Sequence, residues 1–307
     1  LKPNGPAGLG IARLMALVVA AVTIWLAACG LTLIIGRWRS QLPWPLSVST
    51  PRRVALVVAH PDDEAVFFWP TLRKLVQDGI SLSVLCLSTG NADGLGAVRT
   101  QEMQQSCASL GVTGPNLAIL DVPELQDGFH SWPTEVVANH VLEFVREQQA
   151  DLVLTFDSLG VSKHPNHISA SEGVRHARSV AARSSPSSVQ FQVVMLESVS
   201  QLRKYIGPLD FWFSAGATGG ARCFCANPLV CLWALSTHWS QLVWYRVLFM
   251  IFARYGYLNT YIIEDANISD KEVDDTRSTS CEQQSHSQQV CNEAEGLDSS
   301  ELRHRKK

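Results

Sequence analysis

The chain has 307 residues, 46% of them apolar and 17% charged, with a net charge of −3. That is enough for one large domain or two small ones, and it excludes a wholly disordered chain and a multi-span membrane protein. The charge balance also excludes a dedicated nucleic-acid binder, which carries a basic stripe, and eight cysteines in this length do not make a small disulfide framework.

Leu14–Ile35 contains no charged residue. A helix over it rises about 33 Å, matching a hydrocarbon core of about 30 Å. A core helix of this length would show a polar face. A cleaved leader has a shorter apolar stretch followed by small residues, whereas Arg37 and Arg39 follow here at once. The sequence therefore predicts an uncleaved membrane anchor over 11–36, with residues 14–35 in the bilayer. Lys2 and Arg13 precede it, and Arg37, Arg39, Arg52 and Arg53 follow it. That excess predicts a globular domain facing the cytosol, where its cysteines stay reduced. Asn267-Ile268-Ser269 forms a glycosylation sequon that matters only on the lumenal side.

Pro43, Pro45 and Pro51 predict a stiff linker over 37–52. The globular domain is expected over 53–263. Residues 264–307 have no aromatic side chain and an excess of acids, which predicts a disordered polar tail.

Within the domain, short apolar runs alternate with helical spacing. Val54–Ala59, Leu82–Leu87, Leu117–Leu120, Leu152–Phe156 and Phe191–Leu196 have the length of buried parallel strands. Ala65–Gln77, Val98–Leu110, Thr134–Gln148 and Ile168–Ala182 have helical periodicity, the first two stopped by Gly79 and Gly111. The alternation predicts an α/β fold: a Rossmann-like, mostly parallel sheet with helices on both faces, preceded by one transmembrane helix. Beyond Leu202 the pattern weakens. Trp239–Tyr257 is apolar and aromatic, but Arg246 and Arg254 would be costly inside a bilayer. An amphipathic or core helix is expected there. The cysteines around 216–235 show no metal-binding spacing and are expected to be reduced and mostly buried.

Two clusters carry chemistry. His60-Pro61-Asp62-Asp63-Glu64 follows the first strand, and His164-Pro165-Asn166-His167 follows Leu152–Phe156 and opens a helix. If both strands are parallel, both clusters lie at one sheet edge, where α/β folds bind ligands. Adjacent carboxylates and imidazoles are costly together without a positive partner, and a divalent metal is the simplest one. Two histidines and an aspartate suit a catalytic zinc with an open position for water. Asp62 and Asp63 point in different directions in a tight turn, so one can bind metal while the other takes a proton. Spacing alone does not assign these roles.

The pair AHPDDE and HPNH resembles the LmbE-like de-N-acetylase family. The likeness runs from about Val54 to Tyr261 and includes Ser88-Thr89-Gly90-Asn91, the Gly96-x-x-Arg99-x-x-Glu102 helix start, Thr155-Phe156-Asp157 and Leu202–Ile206. With the anchor and Ser240–Arg246, it is most similar to the PIG-L type. That resemblance implies His60, Asp63 and His167 as ligands of a metal, by similarity zinc. It implies Asp62 as general base and His164 as oxyanion stabiliser or acid.

Arg99 would contact a phosphate or sugar hydroxyl, or else pair with Glu102 as a surface ion pair. Asn91 would contact the sugar, or else serve as a turn residue. Asn166 stands where the family often has Asp, which removes a charge beside the histidines. The implied reaction is hydrolysis of the N-acetyl group of N-acetylglucosaminyl-phosphatidylinositol in GPI-anchor biosynthesis. The enzyme would act on a glycolipid at the endoplasmic reticulum membrane. The alternatives are deacetylation of another N-acetylglucosamine conjugate, or a non-catalytic membrane-tethered subunit.

Overall fold

The computed structural model describes residues 6–39, 52–183, 190–214, 222–225 and 227–263. Helix α1 (Pro6–Arg39) precedes the domain. It runs three residues into the expected linker, whose remaining residues 40–51 lie outside those described, as do the expected tail 264–307 and its sequon. Within α1, Ala12–Gly36 is long and apolar enough to cross a membrane.

The domain is a seven-stranded sheet in the order β3-β2-β1-β4-β5-β7-β6. Strands β1 (Arg53–Val58), β2 (Ser81–Cys86), β3 (Leu117–Ile119), β4 (Leu152–Phe156) and β5 (Gln192–Leu196) are parallel. The side chains of β1, β2, β4 and β5 are buried apart from first positions, as expected for strands covered on both faces, and those of the edge strand β3 are half-buried. The far edge departs from this. β7 (Leu258–Ile263) runs antiparallel to β5, and β6 (Arg222–Phe224) runs antiparallel to β7.

Two cores flank the sheet. On one face Leu56, Val58 and Leu154 pack under α2 (Trp69–Gln77) and α3 (Gly96–Ala108) through Leu72, Leu75 and Met103. On the other, Val57 and Val153 pack under α4 (Thr134–Gln148) and α5 (Pro165–Arg183) through Val141, Val145, Val174 and Ala177. α4 and α5 approach closely because residue 173 is glycine; a Cβ there would sit 2.2 Å from the Val137 side chain.

Two later helices complete the domain, α6 (Pro228–Thr237) and α7 (Trp244–Phe252). The apolar stretch around α7 is thus a short helix against the domain. Arg254 is fully buried and pairs with Asp210 at 3.0 Å, inside protein. Of the sequence cysteines, Cys86, Cys107, Cys223 and Cys231 are free and buried, and Cys225 is half-buried.

β1 has β2 on one side and β4 on the other, so the winding direction reverses between β1 and β4. A crevice opens beyond strand ends at such a switch point. His60 and His164 follow these two strands, which is why segments a hundred residues apart meet.

Candidate active site

The chain leaves β1 through a tight, strained turn. Asp62 has φ of 124°, a region costly for a residue with a Cβ. The expected Ala65–Gln77 helix instead begins one residue earlier as a wide π-turn, Glu64–Phe68, and becomes α-helical only at Trp69. The Asp62 carbonyl accepts from the amides of Ala65 and Val66 at 3.0 and 2.9 Å. Glu64 braces the turn. Its Oε2 accepts from the Asp62 amide, and its Oε1 accepts from Ser106 at 2.7 Å and His238 at 2.6 Å.

Asp63 points inward and is buried. Its Oδ2 accepts from the amides of Ala59 and His60 at 3.1 and 2.8 Å, and its Oδ1 lies 3.3 Å from His167 Nε2. Burial pushes its carboxyl up, but the His167 and His60 rings and the backbone bond outweigh this and hold it well below the usual carboxylate range.

The β4 loop is strained too, with Val161 at φ of 60°. It presents the Gly160 carbonyl, which accepts from His167 Nδ1 at 3.0 Å and leaves Nε2 facing Asp63. Phe156 stacks flat on the His167 ring at 4.3 Å. His60 is fixed in the opposite sense. Its Nε2 donates to Asp127 Oδ1 and Asn166 Oδ1, each at 3.0 Å, leaving Nδ1 facing Asp63. One ring nitrogen from each of His60, His164 and His167 lies within 4.8 Å of the others. The Asp63 carboxylate lies 3.7 Å from His60 Nδ1 and 3.3 Å from His167 Nε2, and the partners behind these two rings orient them, as metal-ligating histidines require. The donor set fits a divalent metal such as zinc.

Asp127 carried no signal in the sequence. Burial raises its carboxyl pKa, but the His60 hydrogen bond and charge and the Arg99 charge hold it at about 2. Asn166 accounts for its own departure from the family pattern. Its Oδ1 also accepts from the Gly128 amide, and its Nδ2 donates to the His130 carbonyl at 2.7 Å. An ionised aspartate could not make that donation. The carboxylate behind His60 comes from Asp127 instead.

His164 sits in the floor of the cleft, its ring 5.0 Å from that of His60 and 5.2 Å from that of His167. Burial, then the neighbouring His60 and His167 rings, lower its pKa to about 4, so the ring is neutral near neutral pH. The Asn166 amide donates to its Nδ1 at 3.3 Å, which puts the ring proton on Nε2.

Two guanidiniums face Asp62. Arg99 Nη2 lies 3.5 Å from Oδ1, and Arg246 of α7 donates to Oδ2. Arg99 does not pair with Glu102. It is buried, donates to the carbonyls of Gly90 and Pro61, and lies 3.4 Å from Asp127. Glu102 instead accepts from the amide and hydroxyl of Ser240. Asn91 is spent at the start of α3, where it accepts from the Gly96 amide at 2.9 Å. Asn91 is not part of the pocket wall, whereas Asp93 is.

These groups line a cleft of about 600 Å³. Its floor is His60, Asp62, Asp63, His164 and His167, and one wall is Tyr205, Tyr245, Leu248, Phe249 and Phe252. The wall comes from the region where the sequence pattern was weak.

Residues 55–178 match the PIG-L family, described as GlcNAc-PI de-N-acetylase. An N-acetylglucosaminyl-phosphatidylinositol de-N-acetylase of Bos taurus is 34% identical over 247 residues, covering 78% of this chain and 94% of that one. The chain belongs to the PIG-L de-N-acetylase family. A Dictyostelium discoideum protein named as a probable enzyme of the same activity is also 34% identical, over 69% of this chain and 93% of its own. Among solved structures, the N,N'-diacetylchitobiose deacetylase of Pyrococcus horikoshii superposes with a TM-score of 0.52 at 18% identity, covering 70% of this chain and 84% of that one. That likeness is one of fold. The PIG-L chain and that deacetylase share a fold.

Proposed function

We propose that this PIG-L family chain hydrolyses the N-acetyl group of N-acetylglucosaminyl-phosphatidylinositol, releasing acetate and glucosaminyl-phosphatidylinositol. The observation that carries this reading is the convergence of His60, His164 and His167 at the sheet's switch point, with Asp63 beside His60 and His167. His60, Asp63 and His167 would hold a divalent metal, zinc in this reading, which would polarise the acetyl carbonyl and lower the pKa of water.

The protein's own groups do the rest. Asp62 takes a proton from the attacking water and passes it to the departing amine as the carbon–nitrogen bond breaks. His164, neutral and protonated on Nε2, donates a hydrogen bond to the acyl oxygen as charge develops there. Arg99 and Arg246 offer two cations beside the base. They suit the phosphodiester of the glycolipid, and its binding would release Asp62 from Arg246. Asn91 supports the start of the helix that carries Arg99.

The same reading gives the chain its parts. Residues 11–36 anchor it, 53–263 carry the chemistry, and 264–307 take no part in it. The arginines after the anchor favour a cytosolic face of the endoplasmic reticulum membrane. The apolar wall of the cleft favours a lipid-bearing substrate over a water-soluble conjugate.

Asp62→Asn tests the assignment of the base. Acetate release is expected to fall by about 10²–10⁴-fold while bound metal per chain stays unchanged. A variant that keeps both metal and turnover would assign the base elsewhere.

A further inference from the structure

Among the described residues of the domain, the outward side of α7 is largely uncovered. Trp244, Tyr245, Leu248 and Phe252 are its exposed positions, all on one side of the helix, with Trp244 at 75% exposure. None is charged. The one charged residue of α7, Arg246, turns inward to Asp62. Four large uncharged, mostly apolar side chains exposed side by side mark an interaction site.

The neighbour of this surface identifies its partner. Phe252 packs on Trp25 of α1 at 5.6 Å, and Trp212 Nε1 donates to Thr32 of α1 at 2.9 Å. Leu33 packs on the cluster of Phe211, Phe224, Tyr257 and Leu258. All three α1 residues lie inside the candidate span Ala12–Gly36. Trp25 is about 16 Å along the helix axis from Gly36. If α1 crosses the bilayer over that span, Phe252 and Trp212 lie below the level at which the span ends. Phe252 is then at the depth of the acyl chains, about half-way through a core of about 30 Å, and the apolar face of α7 suits those surroundings.

We infer that the exposed face of α7 is embedded in the acyl region of the bilayer that α1 crosses, so that the cleft opens onto lipid rather than water. This rests on the reading of α1 as a membrane span. Tyr245, Leu248 and Phe252 belong both to this face and to the cleft wall. An amphiphile could slide its headgroup along them to Asp62 while its tails stay in the membrane. The face is held in place from behind. His238 bonds to Glu64 and Ser240 to Glu102, which ties the segment before α7 to the floor of the site.

Depth-dependent quenching tests this in the full chain, reconstituted in phosphatidylcholine vesicles with Cys281→Ser and Cys291→Ser removing the tail thiols. An environment-sensitive fluorophore is placed by Trp244→Cys, by Leu248→Cys, by Val18→Cys in the span and by Glu143→Cys on α4, across the sheet. The labelled chain without an added cysteine gives the background. Nitroxide-bearing lipids are expected to quench positions 244 and 248 several-fold more than position 143, approaching position 18. Quenching at 18 with none at 244 or 248 beyond that at 143 would overturn the embedded face, and a protein partner or open water would then cover it. No quenching at 18 would overturn the spanning reading, and the inference with it.

Discussion

At the scale of single residues, the site is a set of side chains whose protons are fixed by the groups behind them. His167 donates from Nδ1 to Gly160, His60 donates from Nε2 to Asp127 and Asn166, and both turn the other ring nitrogen toward Asp63. The seven site residues expected from sequence divide accordingly. His60, Asp62, Asp63, Arg99, His164 and His167 meet in one cleft, and Asn91 stays at a helix start. Asp127 is the addition. Asp127→Asn keeps the shape but removes the charge behind His60. It is expected to weaken zinc binding by about 10–100-fold, read by competition with a chromogenic chelator. An unchanged affinity would mean that Asn166 alone orients the ring. No sequence signal marked Asp127, because it lies in an irregular loop with no periodicity and reaches His60 only through the fold.

At the scale of elements, the first five strands and four of the helices were legible because each is apolar at the period its element demands. Thr134–Gln148 and Leu152–Phe156 match α4 and β4 end to end. What stayed hidden depends on partners distant in sequence. The π-turn at Glu64 requires Ser106 and His238 to satisfy a buried carboxylate. β7 pairs antiparallel with β5, which no local pattern encodes.

Two predictions belong here. Gly173→Ala places a methyl group against Val137 and is expected to lower stability by about 1–3 kcal/mol. Denaturant titration reads it, and an unchanged midpoint would show that α4 and α5 can separate freely. The second concerns His238. Burial lowers its pKa, but the Glu64 charge and hydrogen bond outweigh this and raise it above the ordinary imidazole value. Its protonation therefore adds stability in full below about pH 6.5 and loses it as pH rises through the raised value. The melting gap between the parent chain and His238→Gln should be wide near pH 6 and narrower near pH 9. A gap that widens with pH would contradict the ion pair.

At the scale of the molecule, α1 and the domain share a packed surface, and the site lies beside it. α1 touches Phe252, Phe252 lines the cleft, and the cleft holds the converging histidines. This continuity explains why a hydrolase for a membrane-borne sugar would keep an apolar helix and an aromatic wall together. The sequence revealed the apolar helix through its uncharged run and the motifs through their residues. It did not reveal that the weakly patterned segment after Leu202 joins the two, because that role is set by packing on α1 rather than by local periodicity.

Acetate release from N-acetylglucosaminyl-phosphatidylinositol by the purified full chain in detergent, followed before chelation, after it and with zinc restored, tests the central claim most directly. Release that chelation abolishes and zinc restores is the predicted result. Release indifferent to chelation, or none from the zinc-loaded chain, would contradict it.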